Sequence, residues 1–112
     1  SGGQYSVQWD SVLAVVSSIA PPLVVDANCA VRSVQASVAA APIAWPVVVR
    51  VMVNSEVYCE LTLPPGAKNS NVVDGFGKPP LLEGSKLTVD IMSVGTMDGS
   101  DPGRDLTVTI RL

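Results

Sequence analysis

From Leu106 onward the chain alternates without a break. Leu106, Val108, Ile110 and Leu112 point one way, and Thr107, Thr109 and Arg111 point the other. A strand turns successive side chains to opposite faces, so this period of two predicts a half-buried β-strand. Leu87, Val89 and Ile91 repeat the code against Thr88 and Asp90. The two runs flank a loop rich in Gly, Asp and Pro over 97–104, and a closing hairpin is expected. The most apolar stretch runs from Trp45 to Asn54. Trp45, Val47, Val49, Val51 and Val53 share one face; Val48 and Met52 lie on the other with Arg50. Apolar residues on both faces predict a central strand, or one whose outer face meets another subunit. Trp45, Val48 and Met52 are therefore the candidate interface residues. Asn54-Ser55 is expected to be a tight turn, since Asn tolerates the left-handed conformation. Val57, Cys59, Leu61 and Leu63 then alternate with Glu56, Tyr58, Glu60 and Thr62, which completes a hairpin.

Elsewhere the pattern is weaker. Residues 1–10 read as a flexible lead-in, with Tyr5 and Trp9 as anchors. The opening Ser-Gly-Gly suggests a cloning remnant or a domain excised from a longer polypeptide. Ser11 to Ile19 is expected to be the first strand, ended by Pro21-Pro22. Val34, Ala36 and Val38 alternate with Ser33, Gln35 and Ser37, while Pro42 and Pro46 argue against a long helix nearby. Pro64-Pro65-Gly66 closes the 56–63 strand. Residues 67–71, 74–80 and 96–104 are expected to be the loops presented at one end. The pattern predicts an all-β fold: an antiparallel β-sandwich, jelly-roll-like or immunoglobulin-like, of six to eight short strands in a single domain over 11–112.

Composition narrows the picture. Hydrophobic residues make up 47% of the 112 and aromatics only 4%, so aliphatic side chains must fill the core. The net charge of −3 argues against nucleic acid, which needs a basic face. Val12 to Val25 is apolar but short and interrupted by Ser17, Ser18, Pro21 and Pro22, so no leader and no membrane insertion are expected. The chain has no histidine, the usual general base and the commonest metal ligand. Glu56 and Glu60 suit a solvated strand face better than a pair of catalytic carboxylates. Cys29 and Cys59 are either two small buried thiols or one disulfide worth roughly 3 kcal/mol. Two Cys without His do not make a zinc site. The 98–105 loop carries carboxylates, but its spacing does not match a calcium loop. Asp105 is expected to cap that loop or to pair with Arg104 or Lys86. Gly75-Phe76-Gly77 lacks the strand-to-helix context of a phosphate cradle. No catalytic residue, cofactor or metal is expected.

The order of motifs carries one resemblance. An Asn-led turn (Asn54-Ser-Glu56) is followed by a strand ending Leu61-Thr-Leu-Pro-Pro-Gly66. Leu82-Glu-Gly84 comes next, then Leu87-Thr-Val-Asp-Ile91, Ser93-Val-Gly-Thr96 and Pro102-Gly-Arg-Asp-Leu-Thr-Val-Thr-Ile110. Over 45–112, and more loosely over 31–42, this resembles a small β-sandwich domain of tailed-bacteriophage structural proteins: tail-fibre, minor tail, head-fibre or decoration proteins. The chain departs from that pattern at Ser55, where Gly is usual, and at the extra Pro65. The resemblance implies a non-enzymatic virion module for assembly or host-surface attachment. Its implied partners are other virion proteins and host-surface glycans. It implies a homo-oligomer, often a trimer, located in the virion and assembled in the host cytoplasm. The alternative is a carbohydrate-binding β-sandwich module. There Phe76, Tyr58 or Trp45 would stack on a sugar, and Asn69, Asn71 and Asp74 would bond its hydroxyls. Two or three coplanar exposed aromatics would favour that alternative.

Overall fold

The computed structural model describes residues 3–94 and 102–112. They form eight strands: β1 (Gln4–Val12), β2 (Leu23–Val24), β3 (Ser33–Ala40), β4 (Val47–Val53), β5 (Glu56–Leu63), β6 (Val73–Asp74), β7 (Lys86–Ser93) and β8 (Arg104–Arg111). A single 3-10 turn, Gly75–Gly77, follows β6. One sheet has the order β1-β8-β3-β6 and the other β2-β7-β4-β5. Every pairing is antiparallel. First pairs with last, second with second-to-last, and so inward to the β4–β5 hairpin. This nesting is that of a jelly roll and not of the immunoglobulin sandwich.

The core follows from the alternation. Val34, Ala36 and Val38 of β3 and Leu106, Val108 and Ile110 of β8 face inward from the first sheet. Val47, Val49 and Val51 of β4 and Leu87, Val89 and Ile91 of β7 face them from the second. All are buried, and Tyr58 is the one buried aromatic among the described residues.

Several expectations need correction. The supposed lead-in is mostly strand: Tyr5, Val7 and Trp9 pair with Ile110, Val108 and Leu106. Their alternation is easy to overlook because two of the three inward residues are amphipathic aromatics. Ser11 and Val12 end β1, and residues 13–19 are not a strand. Their β-branched run has no period of two, and the chain uses it to cross from one sheet to the other. Leu13 and Ile19 are buried on the way, and Val16 alone bridges to Ile91. Ser18 takes a φ of 57°, and its N–H donates to Asp90 Oδ1 at 2.7 Å. β7 and β8 do not form a hairpin either; they lie in opposite sheets. Alternation reports which face of a strand is buried, and it is silent about the neighbour.

β5 also departs from simple alternation. Val51 pairs with Cys59 and Met52 with Val57, so Tyr58 is an extra residue in a bulge. Tyr58 and Cys59 are consequently both buried, and Val57 is exposed.

Candidate functional site

The connections fall into two groups at opposite ends of the sandwich. At one end, Gly66 N–H donates to Pro42 O at 2.7 Å and Leu13 N–H to Gly103 O at 3.0 Å. At the other, Cys29 bridges Leu81, and the Asn54 turn is tied to Lys86. The loops expected to cluster are therefore split. Residues 74–80 lie at the second end. Residues 67–71 run along the sheet edge beside β3, where Asn69 bridges Ser37. Of residues 96–104, only 102–104 lie within the described residues.

The second end holds the most exposed aromatic. Phe76 is 98% exposed at the middle of the 3-10 turn. The turn is held rigidly. Asp74 Oδ1 accepts from Phe76 N–H at 2.8 Å, and Lys78 N–H donates to Gly75 O at 3.1 Å. Gly75 is buried against the backbone, where any Cβ would overlap the Val31 carbonyl. That close approach requires glycine. Beside Phe76 lies an open groove of about 690 Å³ whose walls include Val31, Val72 and Pro80, with Arg32, Asp74 and Lys78 as its charged groups. Val72 is itself 56% exposed.

Behind the groove the 78–82 segment is pinned to β5. Tyr58 Oη donates to Pro79 O at 2.9 Å, and Lys78 Nζ donates to Tyr58 O at 2.8 Å while lying 5.8 Å from the ring centroid. Burial raises the Tyr58 hydroxyl above its ordinary pKa, and the Cys59 and Cys29 thiols push the same way. Burial pushes the Cys59 thiol up to about 11, with nearby Lys78 opposing the shift. Cys29 and Cys59 are not joined; Cys59 is buried and Cys29 half-buried.

The candidate contact residues divide. Phe76 and Asn69 present themselves to solvent. Asp74 is occupied in capping Phe76. Asn71 Oδ1 accepts from Thr62 N–H at 2.9 Å and so stitches the edge of one sheet to the other. The candidate interface residues also separate. Trp45 sits in the bend entering β4, 44% exposed, and not in the core. Val48 and Met52 are half-buried on the outer face of β4. Between them lies a charged row in which Arg50 pairs across the strands with Glu60 and Asp90, and its Nε meets Glu60 Oε2 at 2.9 Å. The apolar outer face is thus two spots, not one patch. Trp45 and Phe76 lie at opposite ends and Tyr58 is buried, so no two of them offer a sugar one stacking platform.

Asp105 sits beside Arg104, with Oδ2 3.6 Å from Nε. The expected acidic loop falls at 98–101 outside the described residues. Among the described residues no three acidic or Cys side chains converge as metal ligands, and no helix is long and apolar enough to cross a membrane. The sequence reasoning missed the Lys78–Tyr58–Pro79 lock and the Val72–Pro80 groove. Pro79-Pro80 after a Gly-rich turn was the available signal for a stiff strap. No family model matches the chain, and no curated protein matches it significantly.

Proposed function

We propose that this chain is a non-catalytic structural module of a bacteriophage virion, of the tail-fibre, minor-tail or head-decoration kind. The observation that carries the reading is the nested eight-strand jelly roll, an architecture that viral capsid proteins and lectins share. The motif order over 45–112 supports it. Both are arguments from likeness, since one fold hosts many functions. The Phe76 end suits the role of contact surface, because a fully exposed aromatic on a rigid turn beside an apolar groove loses little conformational entropy on contact.

The test is mass spectrometry and immuno-electron microscopy of purified particles released from cells that carry the gene. Peptides of this chain in the particles, and label at one defined site, are the expected result. Particles that lack the chain would sink the reading. Phe76→Ala then sorts the contact. Less chain per particle assigns the Phe76 end to a virion neighbour. Normal incorporation with weaker adsorption assigns it to the host surface, where a glycan array comes next.

A further inference from the structure

The four sheet edges are treated unequally. β2 and β6 are two residues long. The β5 edge is blocked by side chains, with Asn71 accepting from Thr62 N–H and Lys78 donating to Tyr58 O. β1 is nine residues long, contains no Lys or Pro, and carries one charge, Asp10. Among the described residues its backbone bonds to β8 and the residues beside it, except that the Val12 carbonyl accepts from Trp9 Nε1 at 3.1 Å. Proteins normally blunt such edges, because unpaired N–H and C=O groups template another strand.

The ladder shows which groups face out. Leu112 N–H donates to Gly3 O at 3.0 Å. In an antiparallel ladder hydrogen-bonded and non-bonded pairs alternate. With the register Tyr5↔Ile110, Val7↔Val108 and Trp9↔Leu106, those three residues spend their backbone groups on β8. The N–H and C=O of Gln4, Ser6 and Gln8 then point to the open edge. An open groove of about 530 Å³ runs beside it, between Ser6–Gln8 and the 20–23 segment.

The strand is also self-complementary. Tyr5-Ser6-Val7-Gln8-Trp9 reads aromatic, polar, Val, polar, aromatic in both directions. We propose that β1 pairs antiparallel with β1 of a second copy of this chain, across a two-fold axis at Val7, joining two sheets into one. In that register Ser6 faces the partner's Gln8, so the outward backbone groups meet as hydrogen-bonded pairs. Tyr5 faces the partner's Trp9 on the core side, an aromatic cross-strand pair. Gln4 faces the partner's Asp10, so no like charges oppose. The same axis satisfies the backbone, the aromatics and the charges together. A one-residue slip would lose the backbone and the aromatic matches. The occupant is a second copy because the match is internal to one sequence. This inference is independent of the virion reading, and a two-fold pairing closes at two chains.

The experiment is light scattering of the 112-residue chain across a concentration series. A species of twice 11.6 kDa that dissociates on dilution is expected. Ser6→Pro removes an outward donor without touching β8, and should weaken the dimer by about tenfold or more. Ser6→Lys/Gln8→Lys places like charges opposite each other and should be monomeric, with the melting temperature that the wild-type chain shows at dilutions where it too is monomeric. Mixed with Ser6→Glu/Gln8→Glu it should recover a one-to-one heterodimer. A monomer at every concentration, a trimer, or a dimer that survives both the Pro and the Lys variants would overturn the proposal.

Discussion

Asn54 and Ser55 take φ values of 50° and 68°, the two left-handed positions of a type I′ hairpin turn. Asn54 suits its place doubly, since its Oδ1 accepts from Lys86 N–H at 2.9 Å. Ser55 makes no such contact and bears the steric cost of a Cβ in that region, roughly 1–2 kcal/mol. Glycine relieves the cost but loses more entropy on folding. Ser55→Gly should therefore stabilise the fold by up to about 1 kcal/mol, read from urea midpoints. Ser70 shows the opposite case. It is buried, its Oγ accepts from Ala36 N–H at 2.8 Å and donates to Asn71 O at 2.8 Å. The hydroxyl stands in for a backbone group where the 69–74 segment leaves regular pairing with β3. Ser70→Ala leaves a buried N–H unpaired and should cost about 1–3 kcal/mol by the same measurement.

At the scale of the element, the 3-10 turn is an interlocked unit of three residues. Gly75 is fixed by packing and Phe76 by the Asp74 cap, whereas Gly77 has open space around its Cα. Gly75→Ala should lower the melting temperature and displace Phe76, seen as a changed phenyl environment by NMR. Gly77→Ala should leave stability within about 0.5 kcal/mol. The strands teach a different lesson. β3, β4, β7 and β8 were legible because each keeps a period of two against one buried face. β1 was hidden because its inner face is mostly aromatic and its outer face is Gln and Ser. The bulge at Tyr58 was illegible because an inserted residue shifts which side faces the core, and local sequence records no such shift. The groove beside Phe76 was illegible for a related reason. Its walls come from residues 30–33 and 72–80, which only the β3–β6 pairing brings together.

At the scale of the molecule, the two thiols make the fold independent of redox state. Reducing agent should leave the melting temperature unchanged, and a fall would reveal a bond between Cys29 and Cys59. Alkali should not be harmless. The Cys59 pKa is raised to about 11 in the folded state, so the folded chain holds a proton that the unfolded chain releases near its ordinary value of about 8.5. The unfolded state then binds fewer protons, so the contribution of Cys59 to stability falls as pH rises through that window and levels off above it, while the raised Tyr58 hydroxyl extends the fall in stability to higher pH. Cys59→Ser should flatten that slope between pH 8.5 and 11, and a slope unaltered by the substitution would rule the thiol out as its source. Topology sets the kinetics. β1 must close on β8 from the far end of the chain, so refolding should take milliseconds to seconds by stopped-flow fluorescence.

The all-β class, the inward residues of four strands, the Asn54 turn and the aliphatic core were all determined by the sequence alone. Each depends on a side chain's relation to its immediate neighbours, and period, turn chemistry and composition record that relation directly. The tertiary structure alone decided which strand lies beside which, and hence the jelly roll. It alone placed Trp45 and Phe76 at opposite ends, committed Asn71 and Asp74 to the backbone, and left β1 as the open edge. Those outcomes depend on pairings between residues tens of positions apart. Such pairings are chosen by the joint burial of two faces, a property that no single stretch of chain contains.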